Sequence, residues 1–560
     1  MEFEKQLLKM PQKKGSAFTQ MTLEDDFIIP DVKPDVLKVI HTKGVLEFDV
    51  PKVSNHSVWV NGRMHFTVLY RSEDTQWKVD AASGSIPFQE KLSMDDVDET
   101  DEVRLKGNIE DISASLINSR KIAIRALVDV EAGAENVRWE EVVTGIRESG
   151  RDGADGSEQE DAPVWEPRKK QGHTDGAMER EGSGNGNAGA AAEFEYKSSE
   201  RELLGLKFTQ KDLLRIRKDL PIGQGMPNIL DLVYYDVTFM GLHATARDHA
   251  IEVAGEAGVC AFYRGQGEEE LSVFSAVVPL EETVDSRELT AADICWIDVE
   301  PEETELEIQE DYDGEQRVLA LECAVGITMH AWEEQSIPVL EDVYSPGCEL
   351  VVQSQPASCE RLLIENQTKV RLAEQLVLEA GQERMLSISC AEGKMVIEHI
   401  AQTEAGLLVT GMLTVHLLYL SNDDFQPIGS ARGFLPLGQL IEIPQAQGRI
   451  RYELRPGVEQ LAVSLMDSST YEVKAAVTLE AIVFEEVVFD KLVDVEQRPL
   501  DMDALQNQPG LVGHKVRQGE DLWSIAKKYH TTESRIMEIN HFTDKNIKPG
   551  QKIVVVKEIL

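Results

Sequence analysis

Apolar residues recur at every second position through most of this chain, the period of a strand with one buried face. In three places the alternation keeps a common frame. Gly62 is followed eight residues later by Tyr70, Gly255 by Tyr263 and Gly411 by Tyr419. On the tyrosine's side of each strand lie Met64, Phe66 and Val68, then Ala257, Val259 and Ala261, then Leu413, Val415 and Leu417. At 28 residues before each glycine, Pro34, Pro227 and Glu383 open further alternating runs. Pro87, Pro279 and Pro436 follow the tyrosines by 17, 16 and 17 residues. At 37, 42 and 37 residues beyond those prolines lie the strand-like runs 124–130, 321–327 and 473–479. A frame this long predicts three copies of one predominantly β domain, over residues 6–135, 194–340 and 341–500. A glycine at a strand start suits a bulge or the close approach of a neighbouring backbone.

Two segments break the pattern. Residues 147–193 hold nine glycines, and Val164 is their only residue among Ile, Leu, Val and Phe. That is too little apolar surface to offset chain entropy, and the segment reads as a flexible, disordered acidic linker. Gly184, Gly186 and Gly189 inside it have a GxGxxG spacing, but polar sequence precedes them and Ala-Ala-Ala follows, so no phosphate site is expected. In residues 514–557 the period changes: Leu522, Ile525, Ala526 and Tyr529 mark one face of a short helix with Asp521 as its cap. Ile536 and Ile539 mark a second helix, and 552–557 is a strand after a turn at Pro549-Gly550. The order is βααβ.

This small module resembles the LysM family. Val516, Gly519, Leu522, Ile525, Ala526, Tyr529, Ile536, Asn540, Ile547, Gly550, Gln551 and Ile553 all occupy the family's spacing. The resemblance implies binding of N-acetylglucosamine polymers, peptidoglycan among them, in a shallow groove between two loops. Here those loops are Gly519, Glu520, Asp521 and Leu522 on one side and Asn546, Ile547 and Lys548 on the other. Acetamido sugars need hydrogen-bond partners beside an apolar wall. His514 stands where an aromatic is usual, and Glu520-Asp521 replaces the commoner Asp-Thr. Gly519, Asp521 and Leu522 equally suit a turn, a cap and a core, and Trp523 reads as packing rather than as a sugar platform. His514, His530 and His541 are spaced 16 and 11 apart, which reads as solvent-facing side chains rather than a zinc site.

The β repeats resemble the SPOCS family of spore-coat proteins of endospore-forming bacteria, through residues 28–40, 60–70 and 340–350, with Glu383 replacing the proline in the third copy. Three such repeats followed by one LysM resemble coat-encasement proteins of the SipL and SpoVID type. That resemblance implies a non-catalytic scaffold in the mother-cell cytoplasm at the forespore surface, joining the coat to its basement layer. The implied partners are the basement-layer ATPase of the SpoIVA type, other coat proteins, and peptidoglycan or its precursors. The alternative is a peptidoglycan-binding cell-wall protein.

Composition narrows the picture further. With 100 acidic and 56 basic side chains the net charge is -44, which repels phosphate backbones and makes nucleic acid an unexpected partner. The module 514–557 departs from this, with nine basic and five acidic residues, a local +4 against -48 for the rest. No run approaches the ~18 apolar residues of a membrane span, and the N-terminus lacks an export signal's apolar core, so no transmembrane segment and no export are expected. Six cysteines without a CxxC pair read as buried free thiols in a reducing compartment. GxSxG, HExxH and GxxxxGK[ST] are absent. The acidic runs 95–102 and 302–313 read as solvated loops rather than paired catalytic carboxylates. The expectation is a mainly β chain of three tandem repeats plus a small βααβ domain, with one disordered linker and no catalytic residue, metal, cofactor or enzymatic activity.

Overall fold

The computed structural model describes residues 2–54, 56–74, 78–147, 194–268, 270–501 and 509–556. The linker assigned to 147–193, with its GxGxxG spacing, lies from residue 148 onward outside the described residues. The first unit comprises β1 (Glu2–Ile28), β2 (Val36–Phe48), the short β3 (Lys52–Val53), β4 (Ser57–Ser72), β5 (Val79–Ser93), β6 (Glu102–Asn118) and β7 (Lys121–Arg147). The second comprises β8 (Glu195–Pro221), β9 (Ile229–Arg247), β10 (Ala250–Gly265), β11 (Leu271–Asp285), β12 (Ile294–Glu310) and β13 (Gln316–Tyr344). The third comprises β14 (Glu349–Val377), β15 (Met385–Thr403), β16 (Gly406–Ser421), β17 (Ile428–Glu442), β18 (Ile450–Leu465) and β19 (Thr470–Arg498).

Each unit is a sandwich of two antiparallel sheets. One sheet is a meander, β2-β4-β5 with β3 beside β4, then β9-β10-β11, then β15-β16-β17. The other is a closing sheet in which the last strand lies between the first and the penultimate: β1-β7-β6, β8-β13-β12 and β14-β19-β18. The runs at 124–130, 321–327 and 473–479 belong to the central strands of these closing sheets, and their alternate residues fill the cores. β7 runs past residue 135 to Arg147 and β13 past residue 340 to Tyr344. The strands thus outlast the repeat frame as two-stranded arms with β1 and β8.

The glycine-tyrosine frame has a physical explanation in every copy. A Cβ on Gly62 would lie 2.3 Å from the Glu47 carbonyl, one on Gly411 2.3 Å from the Val396 carbonyl, and one on Gly255 2.9 Å from Leu242 Cα. The register slips beside Gly255 and Gly411, so the glycine admits a close backbone approach where the ladder bulges. Tyr70, Tyr263 and Tyr419 are fully buried. Each donates its hydroxyl to a carbonyl 36 residues upstream: Pro34 at 3.2 Å, Pro227 at 3.3 Å and Glu383 at 2.9 Å. Only the backbone oxygen is used, which is why Glu383 can replace a proline there. Pro87, Pro279 and Pro436 sit opposite the residue after each glycine on the outer strands of the meander sheets, where a missing N–H leaves no ladder bond unmade.

The three units close head to tail into a ring. β5 touches β9, β11 touches β15, and β17 touches β2. Between the meander sheets lies an apolar hub with Leu69 from the first unit, Tyr234 and Phe262 from the second, and Leu418 and Ile428 from the third. Leu8, Met10 and Val142 join Leu203, Ile337 and Val339 and then Ala357, Cys359 and Phe489 in a second three-unit cluster on the arms. Cys260 and Cys390 form a disulfide at the hub, which corrects the reading of all six cysteines as free thiols. The pair is separated by 130 residues and meets where the second and third units pack together. Cys323, Cys348 and Cys359 are buried free thiols and Cys295 is half-buried. The acidic runs are solvated as expected except at Asp101, and the second lies largely in a strand rather than a loop. Asp101 is buried and accepts from Asp98 N–H at 2.7 Å, and residues 302–310 lie in β12.

Candidate binding groove of the C-terminal module

The C-terminal module pairs β20 (Leu511–Lys515) with β21 (Lys552–Val556) around α1 (Leu522–Lys528) and α2 (Glu533–Asn540). Val516 N–H donates to the Gln551 carbonyl at 2.9 Å and Gly550 N–H to the Val516 carbonyl at 2.8 Å. These bonds fasten the roots of the two candidate loops together. Asn540 stitches α2 to β21, donating to the carbonyls of Ile536 and Val554 and accepting from Val554 N–H at 2.7 Å.

The seven candidate site residues divide by role. Leu522 is 2% exposed and packs with Val516, Ile525, Ile536 and Ile553. Asp521 caps α1: its Oδ1 accepts from Ser524 N–H at 2.9 Å while Ser524 Oγ accepts from Asp521 N–H at 3.1 Å. Burial pushes the Asp521 carboxyl up, but the Ser524 bonds and the Lys197 ammonium outweigh it and hold it below the usual range. Glu520 Oε2 accepts from Arg517 N–H at 2.8 Å and lies 2.8 Å from His514 Nε2, and these contacts lower its pKa. Gly519 takes φ +87°, a left-handed conformation that favours glycine, with open space around it. Asn546 and Lys548 are exposed and Ile547 is half-buried. Their loop is shaped through its backbone, Asn546 N–H donating to Asp544 and Lys548 N–H to Gln551, both at 2.9 Å.

His514 is buried rather than solvent-facing, since its ring bridges Glu520 and the Tyr529 hydroxyl, 3.1 Å away. Trp523 does pack, but against the second repeat. Its ring meets Tyr344 edge-on at 4.7 Å and its indole N–H donates to Asp342 Oδ2 at 2.8 Å. Lys527 reaches both oxygens of Asp342, at 2.6 and 2.9 Å, and the Tyr344 hydroxyl donates to the Thr531 carbonyl at 3.0 Å. Lys197 lies 3.5 Å from Asp521 Oδ2. The module is therefore seated on the second repeat through α1, and its candidate loops carry exposed Gly519, Asn546 and Lys548. Asp342 and Tyr344 are not legible in the sequence as contact residues, because they sit in the stretch 340–350, which reads as part of the repeat family's own pattern.

Comparison with known families agrees with both resemblances. The LysM domain model matches residues 514–556. The SipL, SPOCS domain model matches residues 35–117 and 385–466, which cover the meander sheet and the following strand of the first and third units. The second unit shares their strand order and register although the family model does not match it. No curated protein and no solved structure matches the chain.

Proposed function

From a chain that carries two SipL-type SPOCS domains and a C-terminal LysM domain, the marks of a spore-coat-related protein with a peptidoglycan-binding module, we propose a non-catalytic scaffold. It joins the coat basement layer to the forespore surface from the mother-cell cytoplasm. In this reading the three repeats, the second of which ends with β13 at Tyr344, dock coat proteins and the basement-layer ATPase. The LysM loops Gly519, Glu520, Asp521, Leu522, Asn546, Ile547 and Lys548 take an acetamido glycan or a protein partner. Both matched families are non-catalytic binding domains, and among the described residues no helix is long and apolar enough to cross a membrane. The observation that carries the reading is the seating of LysM on the second repeat through Asp342 and Tyr344. It turns a wall-binding module and a ring of coat repeats into one body. The test is fluorescence microscopy of the tagged full chain through sporulation. A ring around the forespore supports the scaffold, and label spread over the cell wall supports the alternative of a wall glycan-binding protein.

A further inference from the structure

Three residues that hold the same place in the three repeats meet at the hub. Lys43 pairs across the sheet with Thr67, Asp236 with Cys260 and Glu392 with His416. Each of those partners stands five residues after its repeat's glycine. Lys43, Asp236 and Glu392 are therefore one position written three times, as a cation once and an anion twice. Lys43 Nζ contacts Asp236 Oδ1 and lies 3.5 Å from Glu392 Oε2. The Asp236 side chain is only 8% exposed and that of Lys43 23%. A ring of three identical repeats would bring three like charges to this place, and like charges removed from water repel strongly. The next inward position diverges too, to His41, Tyr234 and Cys390, which face Leu69, Phe262 and Leu418 across the sheet. Only the latter three keep one apolar chemistry.

We propose that the hub face of this repeat is a trimer-forming surface whose partners are two further repeats of the same fold and complementary charge. This chain fills all three seats from one polypeptide. The one-cation, two-anion set of Lys43, Asp236 and Glu392 favours a ring of unlike repeats and disfavours a ring of like ones. The hub faces are consumed within the chain, and partner proteins meet the outer surfaces.

The test uses the full chain. Lys43→Glu places three carboxylates at one point and is expected to lower Tm by roughly 3–5 °C. With reductant present, it should also expose Cys260 and Cys390 to maleimide, whereas the unaltered chain protects both. Lys43→Glu combined with Asp236→Lys carries the same three charges in permuted seats and should regain the original Tm and thiol protection. A Lys43→Glu chain with unchanged Tm and protected thiols overturns the proposal. A permuted chain that stays open, or that unfolds as the single variant does, also overturns it, because packing around Lys43 would then hold the ring rather than charge.

Discussion

Single atoms decide the repeat frame at its glycines and tyrosines. A methyl group at Gly62 or Gly411 meets a carbonyl oxygen at 2.3 Å, whereas at Gly255 the nearest atom lies at 2.9 Å. Gly62→Ala and Gly411→Ala should each destabilise the chain by about 2–3 kcal/mol, and Gly255→Ala by less, as measured by urea unfolding. Tyr419→Phe removes one buried hydrogen bond, to Glu383 O, and should cost about 1 kcal/mol. The hub histidines bring a pH dependence. Burial first, then the facing His416 imidazole and after it Lys43 and Arg432, lower His41 to about 4 against the opposing Asp236 carboxylate; burial, then Arg432 and Lys43, lower His416 to about 4. The unfolded chain takes up protons near pH 6.5 while the folded hub stays neutral until about 4. The stability these residues contribute is thus complete above pH 6.5 and is lost as pH falls through that window, by at most about 1.4 kcal/mol per pH unit for each histidine. His41→Gln with His416→Gln should flatten the fall in urea midpoint between pH 7 and 5.5. Glu392, which burial pushes up, titrates with the opposite sign but is present in both chains and cancels in the difference. Parallel midpoint curves would falsify the assignment.

At the scale of elements, the seating of LysM rests on α1 against the end of β13. Asp342 is the keystone, accepting from both Trp523 and Lys527. Asp342→Ala should release the module without unfolding the ring: the Tm of the repeats should hold while the LysM amides sharpen in NMR spectra to those of a small independent body. Unchanged line widths would show that Tyr344 and Lys197 suffice to hold it. The strands, their glycines, prolines and tyrosines, and both short helices were legible in the sequence, because periodicity and caps are local signals. The ring was not, although a trace of it is visible. At Leu69-Tyr70, Phe262-Tyr263 and Leu418-Tyr419 the alternation lapses into adjacent apolar residues, and both members of each pair are buried, as in a strand covered on two faces. The disulfide and the Lys43 cluster left no such trace, since their members lie far apart in the chain: each cysteine reads as a buried free thiol, and each charged member as an ordinary surface residue of its own repeat. Within the candidate groove, the cap at Asp521 and the core role of Leu522 were readable. The burial of His514 was not, because it depends on Glu520 and Tyr529 closing over it.

Over the whole molecule, charge governs the proposed encounter with an anionic wall polymer. The body carries -48 and the module +4, and the module is fastened to that body rather than presented alone. At low ionic strength the field of the body extends over tens of ångströms and repels peptidoglycan carboxylates; at 0.15 M it decays over about 8 Å. In the proposed reading, LysM loops would hold acetamido groups by short-range hydrogen bonds and apolar contacts, which salt hardly weakens. Sedimentation of the full chain with purified peptidoglycan should therefore rise or stay level as salt increases from low to physiological concentration. Mere adsorption of the basic module would instead fall steadily with salt. Lys548→Glu and Asn546→Ala, at exposed positions whose side chains hold no part of the fold, should reduce sedimentation at every salt concentration while leaving Tm unchanged. Gly519→Trp is the poorer probe, since a side chain at φ +87° strains the loop itself. Retention that falls steadily with salt and ignores both loop substitutions would move recognition away from these loops and leave LysM a protein-docking module on the ring.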